Sequence, residues 1–125
     1  MNVRSYKWGI AILLCVTIFF GWRSWVLFGQ AVTADFIDKE CKITEGLFRD
    51  FPLQTAEDKK ALAWRLEFLI GYYESRSNIL AGSHLEQIVR RDYEQALTNA
   101  LIAFRREATN DLGSDPRAWI QKYGK

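Results

Sequence analysis

The stretch from Trp8 to Phe28, "WGIAILLCVTIFFGWRSWVLF", holds one charge, Arg23, in 21 residues. At a rise of 1.5 Å per residue a helix over it is about 31 Å long, close to the ~30 Å hydrocarbon core of a bilayer. The strictly uncharged run, Trp8–Trp22, reaches only about 22 Å, so a span needs the apolar segment beyond Arg23 as well. Arg23 lies within two turns of the far end, where its long stem reaches the headgroups. Tyr6 and Trp8 mark one end of the run and Trp22 and Trp25 the other, where interfacial aromatic belts form. Tyr6, Trp8, Trp22, Arg23 and Trp25 are therefore the expected membrane-interface residues. Arg4 and Lys7 precede the run and no acid does, which predicts a cytoplasmic N-terminus.

A second reading competes for this segment. Val32-Thr33-Ala34 before Asp35 offers the small residues that a signal peptidase reads, so cleavage after Ala34 would release a soluble domain. Against it, Trp25, Val26, Leu27 and Phe28 make the stretch before that site long and greasy. Both readings divide the chain alike: residues 1–29 are a transmembrane anchor or uncleaved signal, and residues 30–125 a helical domain. Ala11 and Cys15 make a sparse small-residue pair, which reads as lipid-facing filler.

Charge follows the same division. Of 17 Lys and Arg, three lie in the first 23 residues with no acid, leaving 14 bases against 15 acids, a net of −1, for the remainder. The basic balance thus belongs to the membrane end. Nucleic-acid binding needs an unbalanced basic face, and none is expected here.

Beyond residue 30 the pattern is helical. Ile37, Cys41, Thr44, Phe48 and Phe51 step by four and three along one stripe, and Pro52 stops that helix. Thr55 and Asp58 form a capping box that opens the next helix. It carries two apolar stripes, Leu62-Leu66-Leu69-Tyr73 and Ala61-Trp64-Phe68-Tyr72, and so reads as a central helix buried on both sides. Its end lies between the weakly helical "ESRSN", residues 74–78, and Gly82, which is a sound stop. Ser83 with Glu86 predicts a second capping box. Leu85, Ile88, Val89, Ala96, Leu97, Ala100, Leu101 and Phe104 then trace one face to about Thr109. Arg90, Arg91, Arg105 and Arg106 line the opposite face, where Glu86 and Glu94 at helical spacing read it as solvated and charge-balanced.

The chain closes on a short helix. Asn110–Gly113 supplies a turn, Asp115 an N-cap, and Pro116 a first position where a missing N–H costs nothing. Trp119 and Tyr123 share a face there, which suits a lid over the open end of a helical hairpin. The fold class is therefore all-α: a transmembrane helix, then three long helices and a short capping helix.

The stretch "ALTNALIAFRREATNDLGSDPRAWIQKYG", Ala96–Gly124, resembles the closing segment of bacterial HEAT-like helical-repeat proteins. The resemblance rests on Leu97, Leu101, Thr109, Gly113, Asp115, Pro116 and Trp119. Asn110 stands where that family often has glycine, and no second repeat copy is visible upstream. It implies a structural cap and protein binding, with no catalytic residue to transfer. The expected location is a bacterial inner membrane, with the N-terminus cytoplasmic and the helical domain periplasmic.

Chemical motifs are missing. The one histidine, His84, follows the Ser83 cap and reads as an exposed first-turn residue. There is no H-E-x-x-H, C-x-x-C, P-loop or G-x-G-x-x-G pattern, and neither Glu40 with Glu45 nor Glu67 with Glu74 has di-metal spacing. Neither catalysis nor a cofactor or metal is expected. Cys41 reads as a small buried apolar residue, or in an oxidising compartment as an intermolecular disulfide that would make a homo-oligomer. The expected role is a membrane-anchored accessory or scaffold subunit. Its domain would dock on a larger membrane complex or partner protein, with Trp64, Phe68, Tyr72, Trp119 and Tyr123 as candidate contacts.

Overall fold

The computed structural model describes residues 3–108 and 110–125. Its elements are α1 (Val3–Asp50), α2 (Ala56–Arg76), a 3-10 turn (Ser77–Leu80), α3 (His84–Glu107) and α4 (Pro116–Tyr123). The fold is all-α, as its periodicity requires.

α1 is one unbroken helix of 48 residues, about 72 Å long. The boundary drawn between residues 29 and 30 falls inside it, and the single Gly29 there costs a helix only about 1 kcal/mol against alanine. The helix passes through it. Every described residue up to Trp25 is exposed, whereas Thr33, Ala34, Ile37, Cys41, Thr44 and Phe48 are buried. The buried stripe begins a turn earlier than the spacing indicates and ends a turn sooner. Phe51, expected to close it, is 58% exposed, while Leu53 is buried at 3%. Pro52 turns the chain after Asp50, so Leu53 and not Phe51 swings under the domain. Buried Thr44 donates its hydroxyl to the Glu40 carbonyl at 2.9 Å, which satisfies its polar atom inside the helix.

α2 begins on the predicted box: Asp58 N–H donates to Thr55 Oγ1 at 3.1 Å and Thr55 N–H to Asp58 Oδ2 at 3.2 Å. Its buried face is Leu62, Ala63, Leu66, Leu69 and Ile70. The second stripe stands in solvent: Ala61, Trp64 and Phe68 are exposed and Tyr72 half-buried. α2 is therefore buried on one side, not both, because α1, α3 and α4 all pack on its leucine face.

Gly82 reverses the chain at φ +76°, a conformation glycine adopts without strain. The predicted Ser83–Glu86 box does not form, since Ser83 makes no side-chain cap bond. Glu86 Oε2 accepts the Gly82 N–H at 2.8 Å, while Ser83 Oγ donates to the Leu80 carbonyl at 2.6 Å instead of capping α3. α3 buries Val89, Ala96, Ala100, Leu101 and Phe104. Ile88, placed on that face by its spacing, is 57% exposed, since it lies a full 100° around the helix from Val89. The predicted end of this helix, Thr109, lies outside the described residues.

Gly113, at φ +87°, makes the last turn. Asp115 Oδ1 accepts the Arg117 N–H at 3.0 Å, and Pro116 takes the first position of α4. Gln30 Nε2 donates to the Ile79 carbonyl at 3.2 Å and Asn99 Nδ2 to Glu45 at 3.4 Å. These contacts set α2 antiparallel and α3 parallel to α1. The core has two parts. One, near the exposed half of α1, gathers Ala34, Ile37, Cys41, Leu69, Leu80, Val89 and Ala96. The other, at the far end, is built around Phe48, Leu66, Phe104 and Trp119.

Candidate functional site

The first candidate is the exposed half of α1. It is long and apolar enough to cross a membrane, and among the described residues nothing covers its most apolar stretch. Tyr6, Trp8, Trp22 and Trp25 are 62–73% exposed, and Arg23 is exposed beside them. Single exposed apolar residues are ordinary, but a continuous helical surface of them is the mark of an interaction site.

The second candidate is the outer side of α2. Trp64 and Phe68 have ring centroids 6.4 Å apart, and Phe68 and Tyr72 5.8 Å apart, so the rings form a ladder up the helix. Guanidinium groups lie against it: Arg65 is 5.2 Å from the Phe68 centroid and Arg76 4.5 Å from that of Tyr72. The arrangement is cation–π in kind and leaves Trp64 65% and Phe68 41% exposed. Next to Trp64, a groove of ≈ 360 Å³ runs between α2 and the end of α1, lined by Leu47, Phe51, Ala61 and Leu62.

Trp119 and Tyr123 belong elsewhere. Trp119 is fully buried, stacked at 5.8 Å on Phe104, with its indole N–H donating to the Gly113 carbonyl at 3.0 Å. Tyr123 stacks on Phe104 at 5.5 Å. The lid role describes both, and Trp119 presents no surface to a partner. The structure thus groups Trp64, Phe68 and Tyr72 and separates them from Trp119 and Tyr123.

Cys41 is 2% exposed, so a second chain's thiol does not reach it in the folded domain. This corrects the intermolecular disulfide. Burial, with Asp92, Glu45, Asp38 and Glu40 nearby, pushes its thiol up to about 12, the opposite of a reactive cysteine. His84 is exposed at the first position of α3, away from that core. Among the described residues no three of His, Cys, Asp and Glu gather to hold a metal ion. Glu40 pairs with Arg65 and Glu74 with Arg117, so these acids serve as interhelical ties. Arg90 pairs with Glu86 at 2.9 Å and Arg105 with Asp111 at 3.1 Å, in keeping with a charge-balanced face.

Sequence reasoning passed over Phe36 and Ile43, which are 50% and 51% exposed on the outer side of α1. Their seven-residue separation was the available signal, masked by the stronger stripe of Ile37, Cys41 and Phe48 beside it. No protein-family model, curated protein or solved structure matches this chain.

Proposed function

We propose that the protein is a single-pass membrane-anchored scaffold subunit that docks its helical domain on another protein at the membrane surface, without catalysis of its own. The observation that carries this reading is the continuity of α1. The same helix that is bare and apolar up to Phe28 becomes a wall of the domain core from Thr33 onward. An anchor joined by a flexible linker would only tether. A helix shared between span and core fixes the height and the rotation of the domain over the bilayer.

The same continuity speaks for a retained segment. Thr33 and Ala34 are buried within the helix, so a peptidase would have to unwind them from the core before cutting. In this reading the N-terminus is cytoplasmic, the domain lies on the periplasmic side of a bacterial inner membrane, and the Trp64–Phe68–Tyr72 ladder is the docking face. The resemblance of the closing segment to HEAT-like proteins fits protein binding.

The test is the intact mass of native protein from separated membrane and soluble fractions. A full-length mass in the membrane fraction is the expected result. A mass beginning at Asp35 in the soluble fraction would replace the scaffold by an exported helical binding domain.

A further inference from the structure

The ladder on α2 and the passed-over residues of α1 border one face. Arg65 reaches from α2 to Glu40 of α1, which lies between Phe36 and Ile43 in sequence, and the same Arg65 covers Phe68. Trp64 shares its groove with Leu47 of α1 and with Phe51 just past its end. The ion pair therefore forms a floor flanked by apolar side chains from both helices. On α1 this strip continues toward the span through Val32, Gly29, Trp25 and Trp22, with steps of three and four that match a coiled-coil seam.

Lipid does not cover the upper part of this strip. Phe36 lies eight residues beyond Phe28 and Ile43 fifteen, which puts them about 12 and 22 Å further along the axis. The headgroup layer adds only about 5–8 Å on each side of the hydrocarbon core. A large aromatic side chain has about 150–250 Å² to bury. Phe36, Phe51, Trp64, Phe68 and Ile43, at 41–65% exposed, together offer on the order of 500 Å². The span adds to this, against roughly 800 Å² per partner in a standard interface.

We propose that the occupant of this face is a second copy of the chain, its α1 lying parallel along the α1/α2 groove of the first. The proposal rests on the anchor reading and names the first partner of that docking face. The mate must rise unbroken from the same bilayer, in the same direction, with the same seam spacing, and α1 meets each requirement. Charge agrees. A two-fold interface sets a surface against its own copy, so any unbalanced charge would repel itself. Here Lys39 is paired with Asp35 at 2.7 Å and Glu40 with Arg65. The result is a four-helix bundle, two helices from each copy, standing on two adjacent spans.

The experiment uses the full chain in its native membranes with Cys15→Ser and buried Cys41 retained. Single cysteines are introduced as Ile43→Cys, Phe36→Cys and, on the exposed side of α3, Gln87→Cys, then oxidised with copper phenanthroline. Carbonate extraction is run in parallel to report the anchor. The expected result is a carbonate-resistant chain that forms a disulfide dimer from Ile43→Cys and Phe36→Cys but not from Gln87→Cys. Adding Phe68→Glu to Ile43→Cys should cut the dimer about tenfold, the effect of some 1.4 kcal/mol, with the helical circular dichroism unchanged. A carbonate-resistant chain that stays monomeric, or that crosslinks from Ile43→Cys to a different protein, overturns the proposal while leaving the anchor standing. Release by carbonate overturns the anchor reading and the proposal with it.

Discussion

Arg65 of α2 and Glu40 of α1 form an ion pair whose side chains are only 18% and 23% exposed, and Arg65 Nε is buried with no acceptor among the described residues. A guanidinium held this way depends on its one carboxylate, since a buried charge stripped of its partner keeps the full desolvation penalty. Glu40→Ala should therefore destabilise the domain by about 1–3 kcal/mol. Combining Glu40→Leu with Arg65→Met should recover most of the loss, because apolar residues of similar volume often replace such a pair at little cost. Thermal melts of the detergent-solubilised full chain check both. A double variant as unstable as Glu40→Ala would assign the loss to packing rather than charge.

Trp119 holds the far end of the domain together through two relations, its stacking on Phe104 and its N–H bond to Gly113. Trp119→Ala should cost about 3–5 kcal/mol, as for other large aromatics removed from cores. Gly113→Ala should cost about 1–2 kcal/mol, since φ +87° brings Cβ against the following carbonyl. Unfolding midpoints measure both, and a Trp119→Ala chain of unchanged midpoint would contradict the lid.

Much of this fold was legible because local chemistry and tertiary contacts agree. Pro52, the Thr55–Asp58 box, Gly82 and the Asp115-Pro116 start each act within a few residues and sit where their chemistry puts them. The misses share a cause. Periodicity shows that Trp64, Phe68 and Tyr72 share a face, but not whether the chain owns an element to cover it. Ile88 and Phe51 were drawn into stripes by being apolar at nearly the right angle, and the helix axis is stricter than a list of spacings. Phe36 and Ile43 were hidden because α1 is apolar on two sides, and only packing tells the inner side from the outer.

Two neutral groups should lower the domain's stability at alkaline pH. Burial raises the Cys41 thiol from 9.0 to about 12 and the Tyr93 hydroxyl, stacked 3.8 Å from Tyr73, from 10.0 to about 12. The unfolded chain releases these protons first, so it binds fewer protons than the folded chain above pH 9 and stability falls as pH rises. The contribution should be whole below pH 9 and lost between about 9 and 12. Melts of the full chain from pH 8 to 11 should show this decline, and Cys41→Ala with Tyr93→Phe should flatten it. A decline of equal steepness in the double variant would place the alkaline limit elsewhere.

The exposed ladder should separate stability from association. Trp64 and Phe68 stand outside the core, so Trp64→Ala and Phe68→Ser should shift unfolding by no more than about 0.5 kcal/mol. Leu66→Ala, two residues from each ring on the opposite side of α2 and fully buried, should cost about 2–5 kcal/mol. Native electrophoresis of the gently solubilised protein gives the other axis. The Trp64 and Phe68 variants should leave the associated band for the monomer position while their melts stay near that of the unaltered chain. If they destabilise the domain as Leu66→Ala does, the rings belong to the fold and not to a docking face. If they change neither melt nor migration, the ladder has no partner under those conditions and the docking role passes to the span.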